Sequence, residues 1–161
     1  MDIRLIPGYD RPELVQELFS EYAKLIISKD SRFEDYLAIQ SFKEELSNLE
    51  GKYGGPGGRL YLAYWKDKLA GCVAMRQIDE HRCEMKRLYV RLVFRGIGIG
   101  DRLVDTLIAD AKKHGYKAML LDTFTFLDRA IAMYHKRGFY EIGKYLDTPM
   151  DDTTIYMQLD L

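Results

Sequence analysis

The sequence predicts an α+β fold with a central mixed sheet, mostly antiparallel, of about seven strands flanked by about four helices. Three observations support this class. Strand-like segments between residues 59 and 90 are separated by short turns, which is typical of an antiparallel meander. A nearly continuous apolar run over 117–124 has the pattern of a central strand. Segments with helical periodicity stand before and after these strands along the chain.

The chain begins with a strand and a helix. Residues 2–7 alternate and stop at a proline, which predicts a short strand. Residues 11–30 carry apolar side chains at helical spacing, and Pro12 suits a first helical turn. The buried face of this helix is expected to contain Leu14, Leu18, Tyr22, Leu25 and Ile26.

A second helix is predicted over 35–51, closed by Gly51. Its buried stripe is expected to contain Leu37, Ile39, Phe42, Leu46 and Leu49. The glycine-rich segment 53–58 cannot hold regular structure, and we expect a connector there rather than a lid.

The remaining segments complete the sheet. The meander strands are predicted over 59–65, 69–78 and 83–90. They are followed by a helix over about 99–113, the strand over 117–124, a helix over 127–138, and last strands over 139–145 and 153–160. The buried face of the first of these helices is expected to contain Ile99, Leu103, Val104, Leu107, Ile108 and Ala111.

Length and composition place further bounds. The 161 residues are assigned to one domain, 1–161, because domains commonly contain ~100–200 residues. A formal net charge of -1 indicates no global attraction to nucleic acid or to anionic membranes, so neither is a predicted partner. No signal-peptide pattern and no apolar run near the ~20 residues of a membrane span is present. Cys72 and Cys83 are predicted to be thiols of a cytoplasmic protein, and their spacing is not a metal signature.

Three glycines alternate with isoleucine in front of the helix at 99–113. They are Gly96, Gly98 and Gly100, and Arg95 precedes them. Glycine lets the backbone approach a ligand and reach positive φ. Amides in the first turn of a helix lack internal partners, and the helix dipole is positive there. The stretch therefore predicts a phosphate site; the alternative is a tight structural turn.

Two familiar nucleotide sites fit this stretch poorly. The P-loop requires Lys-Ser or Lys-Thr after its glycines, and the stretch has neither. The G-x-G-x-x-G fingerprint fails because its third position, counted from Gly96 or Gly98, is Asp101 or Leu103. The antiparallel strands before the stretch also differ from the parallel βαβ setting of that fingerprint.

A third pattern fits well. Arg95-x-x-Gly98-x-Gly100 resembles the R/Q-x-x-G-x-G/A motif of the GNAT acetyltransferase superfamily, which wraps the pyrophosphate of acetyl-CoA. The segment 130–139, AIAMYHKRGF, resembles the second family block, A-x-x-L-Y-x-K-x-G-F. The matching residues of that block include Tyr134, Lys136, Gly138 and Phe139. One departure is Leu127, where many members carry an asparagine that contacts the pantetheine arm.

The resemblance implies a GNAT-like fold and acetyl-CoA as co-substrate, with no metal. It implies that backbone groups at the end of the strand over 83–90 bind the pantetheine amides like an added strand and polarise the thioester carbonyl. Lys136 is expected either to meet a CoA phosphate or to be solvated. The other residues implied at the cofactor are Leu88, Tyr89, Val90, Arg95, Gly96, Ile97, Gly98, Ile99, Gly100 and Asp101.

The resemblance also implies a general acid. Tyr134 is expected to protonate the departing sulfur, because a phenol with a pKa of about 10 matches a thiolate of similar basicity. The alternative for Tyr134 is a core aromatic on an amphipathic helix.

The general base has two candidates. Glu84 stands on the strand that leads to the cofactor, and alternation puts it on one face with Lys86 and Leu88, opposite Arg87 and Tyr89. The alternative is a carboxylate paired with Lys86, Arg87 or a neighbouring strand. Asp122, near the end of its strand, is the second candidate, with a capping role as its alternative.

These residues together predict an acyltransferase. The expected reaction moves acetyl from acetyl-CoA to a primary amine of a small or amino-acid-like molecule, by direct transfer in a ternary complex. The acceptor site is expected to be bordered by Glu34, Asp35 and the loop over 51–58. Alternatives are a protein N-terminal or lysine acetyltransferase, a non-catalytic acyl-CoA sensor, and an enzyme for another nucleotide. A homodimer is left open.

Overall fold

The computed structural model describes residues 2–39, 41–148 and 150–161, and in them the chain forms seven strands and six α-helices. The first half contains β1 (Ile3–Pro7), α1 (Pro12–Lys29), α2 (Phe33–Ile39), α3 (Phe42–Ser47), α4 (Leu49–Tyr53), β2 (Arg59–Trp65) and β3 (Lys68–Gln77). The second half contains β4 (Arg82–Val90), a 3-10 turn (Leu92–Phe94), α5 (Ile99–His114), β5 (Ala118–Phe124), α6 (Asp128–Lys136), β6 (Tyr140–Ile142) and β7 (Thr154–Asp160). The predicted α+β class is confirmed.

The strands of the described chain form one mixed sheet in the order β1-β2-β3-β4-β5-β7-β6. The predicted meander is confirmed, because β2, β3 and β4 pair antiparallel in sequence. β4 and β5 are parallel neighbours, whereas β5 pairs antiparallel with β7. The apolar run of β5 thus lies inside the sheet, as its composition predicts.

The parallel pair separates soon after it begins. In the described chain, the segment Arg82–Glu84 of β4 pairs with the segment Ala118–Leu120 of β5, and the pairing ends there. Both strands then continue, β4 to Val90 and β5 to Phe124, without further pairing between them in the described chain. The sheet therefore opens between the carboxyl ends of these two strands.

Helices cover both faces of the sheet. The core on one face combines α5 with side chains of β3, β4 and β5. The core on the other face combines α1 with side chains of β2 and β3. The predicted face of α5 is confirmed, with Ile108 only half-buried. On α1, the fully buried residues are Val15, Leu18, Phe19, Ala23 and Ile26, and the predicted core residues Leu14, Tyr22 and Leu25 are half-buried.

The prediction of one long helix over 35–51 is wrong. Three short helices replace it, with breaks at Ser41, whose φ is +57°, and at Asn48. The side-chain Oδ1 of Asn48 accepts a hydrogen bond from the amide of Gly51 at 3.0 Å and so caps α4. Short polar side chains compete with the helix for backbone groups in this way. Ile39, predicted to be buried, is 54% exposed, and Gln40 lies outside the described residues.

The segment after α4 is a connector, as expected. The hydroxyl of Tyr116 donates to the carbonyl of Gly57 at 2.7 Å, and this bond fixes the segment beside the end of α5. Within the described residues, no helix is long and apolar enough to cross a membrane. The same residues contain no cluster of three metal-ligating side chains, and Cys72 and Cys83 are buried free thiols.

Candidate active site

A cavity of about 620 Å³ lies where β4 and β5 separate. Residues of both strands, of α1 and α2, of the start of α5 and of the segment from Phe126 to Tyr134 line it. The glycine stretch therefore lies at the same cavity as the second sequence block, about 40 residues later in the chain. Sequence spacing alone does not place the two together.

The glycine loop is built for a close approach to a ligand. Gly96 has a φ of +83° and Gly98 a φ of +93°, and no atom lies within 4 Å of the place where either would carry a Cβ. Gly98 is the N-cap of α5, and the amide of Arg102 makes the first helical bond, to the Gly98 carbonyl at 3.0 Å. The amides before Arg102 have no partner inside the helix, and they form a place for an anion.

Most residues predicted at the cofactor line the cavity, but two do not. The lining residues are Leu88, Tyr89, Val90, Arg95, Gly96, Gly98, Ile99, Gly100 and Asp101. Ile97, between the two left-handed glycines, lies instead in a shallow surface depression beside Trp65 and Val93. Lys136 is exposed and outside the lining, because it follows the cavity-lining Tyr134 by two residues, about 200° around α6.

Two arginines add positive charge to the lining of the cavity. Arg95 lines it, is exposed, and donates from Nε to the carbonyl of Val90 at 2.8 Å, which ties the loop to the end of β4. Arg129, in the first turn of α6, lines the cavity as well. Sequence reasoning did not single out Arg129, because it is one of many charged residues on a solvated helix.

Tyr134 is 5% exposed and lines the cavity. Burial, followed by the charges of Tyr22 and Asp122, raises the pKa of the Tyr134 hydroxyl well above its usual value. No residue in the described chain hydrogen-bonds this hydroxyl. Tyr134 therefore keeps its proton at neutral pH and has it available for a ligand.

β4 is interrupted by a bulge at Arg87, whose φ of +61° lies in the left-handed region. The register passes from Ala74 opposite Lys86 to Cys72 opposite Tyr89, so β4 has one residue more than β3 in this interval. Such a bulge bends a strand and redirects its side chains.

The bulge overturns the predicted alternation on β4. Leu88 packs against the core on the α5 side, whereas Tyr89 packs against the core on the α1 side. Arg87 contacts the rings of Tyr22 and Phe42, which also belong to the α1 and α3 side. Leu88 therefore does not share a face with Glu84, and Arg87 and Tyr89 do not lie opposite it.

Glu84 is 1% exposed and is not among the residues that line the cavity. Arg76 donates from Nε to Oε1 of Glu84 at 2.7 Å, and Tyr145 donates its hydroxyl to Oε2 at 2.6 Å. This is the alternative in which the carboxylate is paired with a neighbouring strand, because Arg76 lies opposite Glu84 on β3.

Asp122 does line the cavity. Lys86 donates from Nζ to Oδ1 of Asp122 at 3.3 Å, and the hydroxyl of Tyr36 donates to Oδ2. Burial opposes ionisation of Asp122, but the charge of Lys86 and the bond from Tyr36 outweigh it and hold the pKa of Asp122 below its usual value. Asp122 is thus an ionised carboxylate at the cavity, and its predicted capping alternative does not describe these contacts.

A buried ionic network supports the bulge from the side of α3. Arg87 donates from Nε and Nη2 to the two oxygens of Glu45, at 2.8 and 2.9 Å. Lys52 donates to Oε1 of Glu45 at 2.5 Å. Burial raises the pKa of Glu45, but the opposite effect of Arg87 and then Lys52 is larger, and the pKa falls to about 2.

The cavity also has an apolar wall. Its half-buried residues are Tyr22, Leu25, Phe126 and Leu127, and Lys29 is also in the lining. Glu34, Asp35 and the segment over 51–58, which were expected to border the acceptor site, are not in the lining of this cavity. The helix α2 instead contributes Tyr36. No sequence signal separates such residues from ordinary core positions, since tyrosine at helical spacing predicts burial equally well.

Comparison with known proteins gives a consistent result. The model of the Acetyltransferase (GNAT) family matches residues 15–139. An uncharacterized N-acetyltransferase of Dictyostelium discoideum is 29% identical, in an alignment that covers all of both chains. An uncharacterized N-acetyltransferase of Schizosaccharomyces pombe is 38% identical over 78% of this chain and 77% of its own.

Solved structures share the fold. An acetyltransferase from Streptococcus agalactiae superposes with a TM-score of 0.76 at 18% identity, over 100% of this chain and 99% of its own. A GNAT family acetyltransferase from Elizabethkingia anophelis, with acetyl-CoA bound, superposes with a TM-score of 0.61 at 20% identity, over 99% of both chains.

Proposed function

The chain belongs to the GNAT family of acetyltransferases, and from this premise we propose that it moves the acetyl group of acetyl-CoA directly to a primary amine of a small or amino-acid-like acceptor, within a ternary complex. One observation carries the proposal. A single cavity runs from the free amides of α5, along the unpaired part of β4, to the carboxylate of Asp122. The free amides suit the phosphates of a donor, and the carboxylate suits the amine of an acceptor.

The donor half fits acetyl-CoA. The amides at the start of α5, with Arg95 and Arg129, would bind the pyrophosphate. Beyond Glu84, β4 has no strand partner on the side of β5 in the described chain. Its backbone groups from Leu88 to Val90 that point to this side, apart from the Val90 carbonyl held by Arg95, are therefore open to the pantetheine amides. When bound there, acetyl-CoA supplies an activated acyl group on a thiol leaving group.

The chain's residues would then serve each part of the transfer. A backbone amide near the bulge of β4 would stabilise negative charge on the carbonyl oxygen as the N–C bond forms. Asp122 would accept the proton that the attacking nitrogen loses, directly or through water. Tyr134 would give its proton to sulfur as the C–S bond breaks. We prefer Asp122 to Glu84 as the base because Asp122 lines the cavity, whereas Glu84 is 1% exposed and is not in the lining.

The acceptor half favours a small molecule over a protein chain. The side chains of Lys86 and Asp122 are each 5% exposed, so a group that reaches them has to enter the interior.

The free thiols of Cys72 and Cys83 support a reducing compartment such as the cytoplasm.

Calorimetric titration with acetyl-CoA tests the proposed function. The wild type is expected to bind, and Gly98→Asp to lose at least 100-fold in affinity, because a carboxylate would stand among the amides that receive phosphate. Gly115→Asp is the matched control. Gly115 also has a positive φ, +101°, and open space at its Cβ position, but it lies at the opposite end of α5. Normal binding by Gly98→Asp, or none by the wild type, would contradict the proposal.

A further inference from the structure

Lys86 is a buried cation with spare hydrogen-bond donors. It is 6% exposed and lines the cavity. An ammonium group has three donors. Within the described chain, Nζ of Lys86 makes a single hydrogen bond, to Oδ1 of Asp122, and at 3.3 Å that bond is long. Because Lys86 lines the cavity, a ligand there can accept from the donors that remain, and such a partner would offset the cost of burying the charge.

Other cations near the bulge, the buried Arg87 and the half-buried Lys52, are better satisfied. Arg87 holds both oxygens of Glu45 at 2.8 and 2.9 Å, and Lys52 contacts Glu45 at 2.5 Å. Lys86 therefore differs from its neighbours in having capacity left for a ligand.

The charges around Lys86 do not balance. The ion pairs on this side of the sheet join three cations, Lys52, Lys86 and Arg87, to two carboxylates, Glu45 and Asp122. Glu84 does not compensate, because Arg76 neutralises it. Lys52 is 24% exposed and therefore partly hydrated, but the side chain of Lys86 is 5% exposed, and its unused donors favour a ligand that brings a negative group.

Lys86 and Asp122 together present one charge of each sign to the cavity. A zwitterion with its two charged groups on the same carbon is complementary to such a pair: its carboxylate faces Lys86 and its nitrogen faces Asp122. The α-amino acids are the simplest molecules of this kind. In the same cavity, the half-buried Tyr22, Leu25 and Phe126 offer an apolar surface to a side chain.

The spacing along β4 is compatible with this arrangement. Lys86 precedes Leu88 and Tyr89 by two and three residues. The interval is shorter than the ~7–10 Å of a regular strand, because the bulge at Arg87 lies within it. A carboxylate held by Lys86 would bring a nitrogen one carbon away toward the backbone that we assign to the thioester.

We infer that the acceptor is a free α-amino acid with an apolar side chain, and that Lys86 determines this specificity by binding its carboxylate. The inference rests on the proposed function, because it concerns the acceptor of that reaction. Lys86 also holds Asp122, but its direct role is to contact the substrate.

The test compares matched acceptors in a free-thiol release assay with acetyl-CoA. L-phenylalanine carries both groups, phenethylamine lacks the carboxylate, phenylalanine amide neutralises it, and the dipeptide Phe-Gly moves it away. We expect kcat/KM for phenylalanine to exceed those for the other three by about 100-fold, the value of a buried hydrogen bond to a charge. A free amino acid and a peptide N-terminus are thus distinguished in the same series.

Substitution of Lys86 supplies the second arm. Lys86→Met is expected to raise the KM for phenylalanine by about 100-fold and to reduce its advantage over phenethylamine to less than 10-fold. Lys86→Arg is expected to restore part of the advantage. Lys43→Met is the matched control, since Lys43 is an exposed lysine on α3 outside the cavity lining. If Lys86→Met fails to fold, the acceptor series with the wild type still decides the matter.

The outcomes separate the two proposals. Acetyl-CoA binding without any transfer to phenylalanine, or equal transfer to phenylalanine and phenethylamine, overturns the inference and leaves the donor site in place. Preference for Phe-Gly also overturns it and favours a peptide N-terminus as the acceptor. No binding of acetyl-CoA by the wild type refutes the proposed function itself.

Discussion

Tyr134 combines three properties that an acid for a thiolate needs. It lies at the cavity, it keeps its proton because burial raises its pKa, and no residue in the described chain holds its hydroxyl. Its ring is fixed by packing, with the Phe139 ring centroid 5.6 Å away. The hydroxyl is thus positioned by the ring, and it costs the fold little to lose.

Tyr134→Phe is therefore expected to lower kcat by at least 10-fold while the affinity for acetyl-CoA changes less than threefold. Steady-state kinetics and calorimetry measure the two quantities on the same preparation. Tyr140→Phe, which removes an exposed hydroxyl bonded to Asp160, serves as the control and should change neither. An unchanged kcat in Tyr134→Phe would remove this residue from the mechanism.

Most residues predicted at the cofactor line the cavity, and they could be singled out because they stand in short contiguous patterns. The choice between Glu84 and Asp122 is not predictable in this way, because it depends on partners far away in sequence. Arg76 on β3 and Tyr145 after β6 occupy Glu84, whereas Tyr36 on α2 and Lys86 on β4 hold Asp122 at the cavity. Lys86 itself gives no signal in the sequence beyond a lysine in a strand.

At the scale of elements, the two halves of β4 differ in their pairing. In the described chain the first half pairs with both β3 and β5, whereas the second half pairs with β3 alone. The bulge at Arg87 marks the change. A residue other than glycine in the left-handed region costs about 1–3 kcal/mol, which surrounding contacts have to offset. The bidentate pair with Glu45 is the strongest such contact, and it joins β4 to α3.

Breaking this pair is expected to destabilise the protein more than breaking a surface pair. Arg87→Met leaves Glu45 buried beside Lys52 alone, and we expect a loss of about 3–5 kcal/mol in the free energy of unfolding. In Arg87→Met/Glu45→Gln the loss should be smaller than the sum of the single losses by at least 1 kcal/mol. Urea denaturation gives these values.

Arg82→Met is the matched control for this prediction. Its pair with Asp79 is 46% and 45% exposed, so its loss should stay below about 1 kcal/mol. Similar losses in Arg82→Met and Arg87→Met would contradict the assigned role of the buried pair.

Element existence and order follow from the sequence for all seven strands of the described sheet and for α1, α5 and α6, because each has a clear period and clear ends. The region 35–51 does not follow, since an apolar stripe continues there across two breaks. The first break lies at Ser41, whose φ is positive, and the second at Asn48, whose side chain hydrogen-bonds to the backbone and so competes with a helix that the periodicity alone would favour.

On the scale of the whole molecule, buried carboxylates with lowered pKa values make stability depend on pH. The pKa of Glu45 falls from 4.5 to about 2 in the fold, so its ionised form stabilises the protein above pH 4.5. That contribution is lost as the pH falls from about 4.5 toward 2, because the unfolded chain takes up the proton first. Its size is about 3 kcal/mol, since a tenfold change in proton affinity corresponds to about 1.4 kcal/mol.

The free energy of unfolding, measured by urea at pH 6, 5, 4 and 3, should decline across the acid part of this range. Glu45→Gln should be less stable than the wild type at pH 6 and should show a shallower decline. Parallel curves for the two proteins would show that Glu45 does not carry the dependence.

The gap between β4 and β5 also bears on how long the protein persists in a cell. A ligand bound only by the folded chain adds about 2.7 kcal/mol of stability at a free concentration 100 times its Kd. Acetyl-CoA in the gap would act in this way, because it would bind beside β4 where β5 does not pair with it. Proteolysis follows the population of unfolded chains. A fall in the concentration of acetyl-CoA would therefore shorten the lifetime of this protein.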